Sequence, residues 1–87
     1  MKYRSRSDIV RLLLDAANGG AATKTKLMYT TYLSFNQLKE YLAFLVGNDL
    51  IEYEVGHMTY RTTEKGMRLL YLQNKIDEVA PVSFIKE

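Results

Sequence analysis

The sequence predicts a mainly α, α+β domain in the order helix, helix, helix, β-hairpin, helix, and three observations carry that prediction. Ser34 and Gln37 stand at capping-box spacing with Leu33 and Leu38 at the staple positions around them, so a helix begins at Ser34. Past Gly47 and Asn48 the apolar period changes. Leu50, Ile51, Tyr53 and Val55 are strand formers, Gly56 and His57 supply a turn, and Met58 to Thr62 reads as the return strand. Thr63 then caps a last helix that runs through Glu64 to about Ala80, where Pro81 cannot be held in a helix interior.

Taken in order, Ser5 and Ser7 offer caps for the first helix just before Asp8, and Ile9, Leu12, Leu13 and Ala16 fall on one face. Asn18, Gly19 and Gly20 end it. Thr23 caps a second helix, roughly Lys24 to Tyr32, with Leu27, Met28 and Thr31 inward and Lys24 and Lys26 outward. The third helix buries Leu38, Leu42 and Leu45 at i, i+4, i+7 spacing. No repeat, low-complexity stretch or long linker interrupts this order. One domain over residues 1–80, including a last helix over 63–80, is expected, followed by a tail, 81–87.

Composition agrees: 87 residues with 47% apolar and 25% charged side chains describe an ordinary globular domain. A domain this small buries only about 60% of its unfolded surface, so a partner subunit is a common source of further apolar burial. The absence of cysteine rules out disulfides and thiolate metal sites and fits a reducing, cytoplasmic setting. The basic N-terminus has an apolar run too short for a signal peptide or a membrane span, and Asp15 breaks it.

Net charge is only +2, but it is unevenly spread. Residues 1–39 carry seven Lys/Arg against two Asp/Glu, and the remainder carries five against eight. A polyanion would meet one side of such a molecule, although an uneven solvated surface gives the same count.

Two helices joined by a tight turn, the second running into a hairpin, form the layout of a winged helix-turn-helix, in which a helix enters the major groove of duplex DNA. With Leu38, Leu42 and Leu45 inward, the outward arc of the third helix is Asn36, Gln37, Lys39 and Glu40, with Ser34 at its start. Asn and Gln amides pair bidentately with adenine, Lys reaches guanine or phosphate, and Glu accepts from cytosine. Any exposed helix face carries such residues, and it is the position in the layout that favours recognition. Arg4, Arg6, Lys24, Lys26, Tyr29 and, on the wing, Arg61 are the phosphate-contact candidates. Arg4 and Arg6 read equally as a loose basic tail, and Tyr29 as packing at the core edge.

The strings KTKLMYTTYLSFNQLKEYLAFLVGNDLIEYE and YRTTEKGMRLL resemble a family of small archaeal winged-helix proteins that includes transcription regulators and dimeric chromatin-associated members. The likeness covers about residues 7–72, through Lys24, Thr25, Met28, Tyr29, Leu33, Ser34, Tyr41, Leu42, Leu45, Leu50, Ile51, Thr63, Lys65 and Gly66. It implies duplex DNA as ligand and a homodimer joined through the last helix. The chromatin-type members have a longer C-terminal coiled coil and a more basic surface, which points this chain towards site-selective regulation instead.

Leu69, Leu72, Ile76 and Val79 follow the 3, 4, 3 spacing of a coiled-coil seam, while Met67 and Leu70 turn back towards the core. The alternative is that all six pack within one monomer. Phe44 falls between the polar and buried arcs and must pack on the wing, a dimer mate or a partner, so a protein-binding winged-helix module is the rival reading. Catalysis is not expected. There is one His, no Cys, no glycine-rich phosphate loop and no metal-ligand spacing, and Asp49, Glu52 and Glu54 read as solubilising an exposed edge. No metal, cofactor or small-molecule ligand is expected.

Overall fold

Each helix of this chain starts where a hydroxyl side chain can take up orphan amide protons. The computed structural model describes residues 5–79, and side chains as far as residue 76. Helix α1 spans Arg6–Ala16, α2 Lys24–Thr31 and α3 Phe35–Gly47; strands β1, Ile51–Glu54, and β2, Thr59–Thr62, precede α4, Glu64–Val79. Ser5 and Asp8 form a full capping box on α1, as Ser34 and Gln37 do on α3, and Thr23 accepts from the Lys26 amide on α2. Thr63 Oγ1 accepts from the Gly66 amide and donates to the Asp49 carbonyl, tying the start of α4 to the loop before β1.

The core is one cluster. Leu13, Leu14, Ala17, Ala22, Leu27 and Leu45 are fully buried, and Leu38, Leu42, Leu50, Ile51 and Leu70 nearly so. Burying each large aliphatic side chain contributes about 1.5–3 kcal/mol. α1 packs on α2 and α4, α2 on α3, α3 on β1, and β2 on α4. One expectation for α1 shifts by a position: Leu14 is buried with Leu13, whereas Leu12 stays half-buried. Both α2 and α4 pack on α1, so more of its surface than a single helical stripe is covered.

β1 and β2 pair antiparallel with Tyr53 opposite Tyr60, and their rings lie 5.0 Å apart in a tilted contact. Burial raises the Tyr60 phenol pKa, and Tyr53 beside it adds to the rise. The turn is longer than Gly56 and His57 alone: it runs from Val55 to Met58, with the His57 and Met58 amides both donating to the Glu54 carbonyl. Ala22, between α1 and α2, exchanges backbone hydrogen bonds with Tyr60 and so adds a one-residue rung to the far edge of β2. Thr62 completes the attachment, its amide donating to the Ala17 carbonyl and its hydroxyl to Leu14 at 2.6 Å.

Candidate nucleic-acid interface

The geometry of α3 follows from its cap. Since Ser34 Oγ accepts from the Gln37 amide at 3.2 Å and Gln37 Oε1 accepts from the Ser34 amide at 3.0 Å, the first turn is anchored without help from the core. Leu38, Leu42 and Leu45 then hold the helix by one side, leaving Ser34, Asn36, Gln37, Lys39 and Glu40 exposed. Asn36, Lys39, Glu40 and Ala43 together line a shallow depression of about 340 Å³ on the outer side. Gln37 differs from its neighbours, because its carbonyl oxygen is committed to the cap. Asn36 presents an amide with no such commitment among the described residues.

The candidate phosphate contacts stand in three places among the described residues. Lys24 and Lys26 are exposed on the first turn of α2, and Tyr29 further along is 75% exposed, so it is not core-edge packing. Lys24 Nζ lies 5.6 Å from the centre of the Phe35 ring, which links the start of α2 to the start of α3. Arg6 stands at the start of α1, on the rim of a cleft of about 380 Å³ between α1, α3 and α4 that Glu40, Tyr41, Phe44 and Leu69 also line. Arg4 lies outside the described residues.

Arg61 is bound up in the wing. Its Nε donates to Glu54 Oε2 at 3.0 Å, and its guanidinium covers Gly20, where an added Cβ would meet Nη2 at 2.8 Å. Glu54 also accepts from Thr59 Oγ1 at 2.7 Å and from the Ala21 amide at 3.3 Å. The hydrogen bond from Thr59, then those from Ala21 and Arg61, lower its pKa below the usual 4.5. Reading Glu54 as edge solubilisation missed this role. Its partners come from the α1–α2 loop and the opposite strand, where Thr59 lies directly across from it and Arg61 diagonally.

Order, caps and hairpin are those of a winged helix-turn-helix, and the model of a winged helix-turn-helix family matches residues 3–81. The chain belongs to that family. No curated protein matches its sequence. Winged helix-turn-helix domains are typically non-enzymatic DNA-binding domains, and no described helix is long and apolar enough to cross a membrane.

On the winged helix's last element, Leu72 and Ile76 are more than half exposed, as is Tyr71. Leu69 is half-buried against the core, alongside Met67, while Leu70 is buried. The reason is geometric, since α1 lies against α4 and Gln73 Nε2 reaches Ser7 to hold the two together. The Val79 side chain and the tail, 81–87, lie outside the described residues. Phe44 is 57% exposed and lines the cleft rather than packing on the wing. Sequence reasoning also passed over Phe35, half exposed at the first position of α3, and Tyr32, 85% exposed in the turn before it.

Proposed function

We propose that this protein binds double-stranded DNA site-selectively as a transcriptional regulator in the cytoplasm, with α3 in the major groove and two copies acting together. One observation carries the reading: the capped N-terminal turns of α3 leave Asn36, Lys39 and Glu40 exposed, and the start of α2 sets Lys24 over the ring of Phe35, the first residue of α3. No acidic residue occurs between Asp15 and Glu40, so every charged side chain that this stretch of the winged helix itself supplies attracts phosphate. Asn36 suits adenine and Lys39 guanine, while Lys24, Lys26, Tyr29 and Arg6 serve the backbone. Arg61 chiefly secures the wing, its charge being offset by Glu54.

Leu72 and Ile76 on α4 supply the surface for pairing two copies. A pair reading one face of the duplex sets its two α3 helices about 34 Å apart. The test is fluorescence anisotropy with a labelled duplex over a range of salt. Binding that weakens steeply with ionic strength supports the reading, because displaced counterions carry the salt dependence. The exposed Phe44 in the α1–α3–α4 cleft favours a second reading, a protein partner, for which duplex binding would be absent.

A further inference from the structure

Three exposed aromatic side chains stand within seven positions around the turn from α2 to α3: Tyr29 is 75% exposed, Tyr32 85% and Phe35 50%. Nothing in the fold requires them there. The cap of α3 is made by Ser34 and Gln37, and the core beneath it by Leu33 and Leu38, so Phe35 serves neither. Tyr32 ends α2 in the left-handed region, φ +58°, a place where glycine or asparagine is the usual occupant.

The setting of Phe35 narrows what it faces. It is the first residue of α3, next to Asn36 and four positions before Lys39, and residues four apart share a helix flank. The Lys24 ammonium sits over its ring, an arrangement that restrains the ring and holds a cation at its border. An apolar disc is thus bordered by Lys24 and Lys39 and adjoins an amide. In the major groove the apolar feature on the base edges is the 5-methyl group of thymine, which phenylalanine can contact.

We propose that Phe35 reads thymine through that methyl group, with Lys24 as the positioning residue that holds the ring. The inference rests on the reading of α3 as the groove helix and adds a specificity determinant to it. The experiment compares a duplex recovered from a random pool with the same duplex synthesised with deoxyuridine in place of thymidine, which removes the methyl and leaves the pairing intact.

The wild-type protein is expected to prefer the thymidine duplex by about fourfold per contacted methyl, the ratio that burying one such carbon gives. Phe35→Ala should bind both duplexes as the wild type binds the deoxyuridine one, and Phe35→Leu should keep part of the preference. Equal wild-type binding to the two duplexes overturns the inference alone, and needs no variant to fold. A preference that survives Phe35→Ala overturns it too, as does tighter binding to the separated strand, which would mark the aromatics as a base-stacking platform. Failure to bind any duplex overturns the groove reading as well.

Discussion

Glu54 and Arg61 close the wing on itself, the carboxylate accepting from the guanidinium Nε at 3.0 Å across the hairpin. The same carboxylate holds the Ala21 amide, so the hairpin is bound to the α1–α2 loop through one side chain. Ala21 has φ +61°, a costly conformation for alanine that this contact helps to retain.

That arrangement makes the wing sensitive to acid. The pKa of Glu54 is lower in the folded chain than its ordinary value of 4.5, so its contribution to stability is present above that value and is lost as pH falls through the folded one. Thermal unfolding of the wild type and of Glu54→Gln should differ at neutral pH, with the variant less stable, and the gap should close as the pH falls through the lowered pKa of the folded chain. A gap independent of pH would show that the charge is immaterial.

Gly66 allows α4 to pass close to the loop before β1. A Cβ there would overlap the Leu50 carbonyl oxygen and lie 2.7 Å from Thr62 Cγ2. The carbonyl cannot retreat without disturbing its hydrogen bond from the Thr63 amide at 3.0 Å. Gly66→Ala should cost about 2 kcal/mol despite the better helix propensity of alanine, lowering the melting temperature by about 10 °C. An unchanged melting temperature would mean that α4 shifts freely.

Removing the α3 cap should separate stability from binding. Ser34→Ala leaves the Gln37 amide unpaired and should lower stability by about 1 kcal/mol, read from denaturant midpoints at unchanged m-value. Asn36→Ala with Lys39→Ala removes no contact from the cap or the core and should leave that midpoint in place while weakening duplex binding at least tenfold. Retained affinity in the double variant would place the DNA contact away from α3. Gln37 is a poorer probe, because truncating it also takes the acceptor from the Ser34 amide.

Leu72→Asp with Ile76→Asp should yield monomers by sedimentation with helical content preserved, as both side chains are more than half exposed. Leu70→Asp, by contrast, puts a charge in the core cluster and should unfold the chain. A dimer that survives the Leu72 and Ile76 changes would rule out α4 as its seam.

Much of this winged helix is determined by residues acting on near neighbours. The Ser34 and Gln37 box, the Thr23 and Thr63 caps, the Leu38, Leu42, Leu45 stripe and the change of period after Leu50 each depend on residues a few positions apart, and each has its counterpart in the fold, the last as a hairpin whose first strand stops at Glu54, short of Val55. The exposed arc Asn36, Lys39 and Glu40 follows from the same stripe by subtraction. Tertiary packing alone decided the rest. Leu14 rather than Leu12 is buried because two helices press on α1, and Leu69 turns to the core because α1 lies against α4. Ala22 becomes a rung of the sheet only when Tyr60 arrives, 38 residues later in the chain. Glu54 is a tie because Ala21, Thr59 and Arg61 converge on its two oxygens, and Phe35 stands exposed because Leu33 and Leu38 already fill the space beneath the turn. A pattern of spacing records which face of an element is apolar; which neighbour covers that face, and which polar atoms meet at its edge, is decided when distant segments pack.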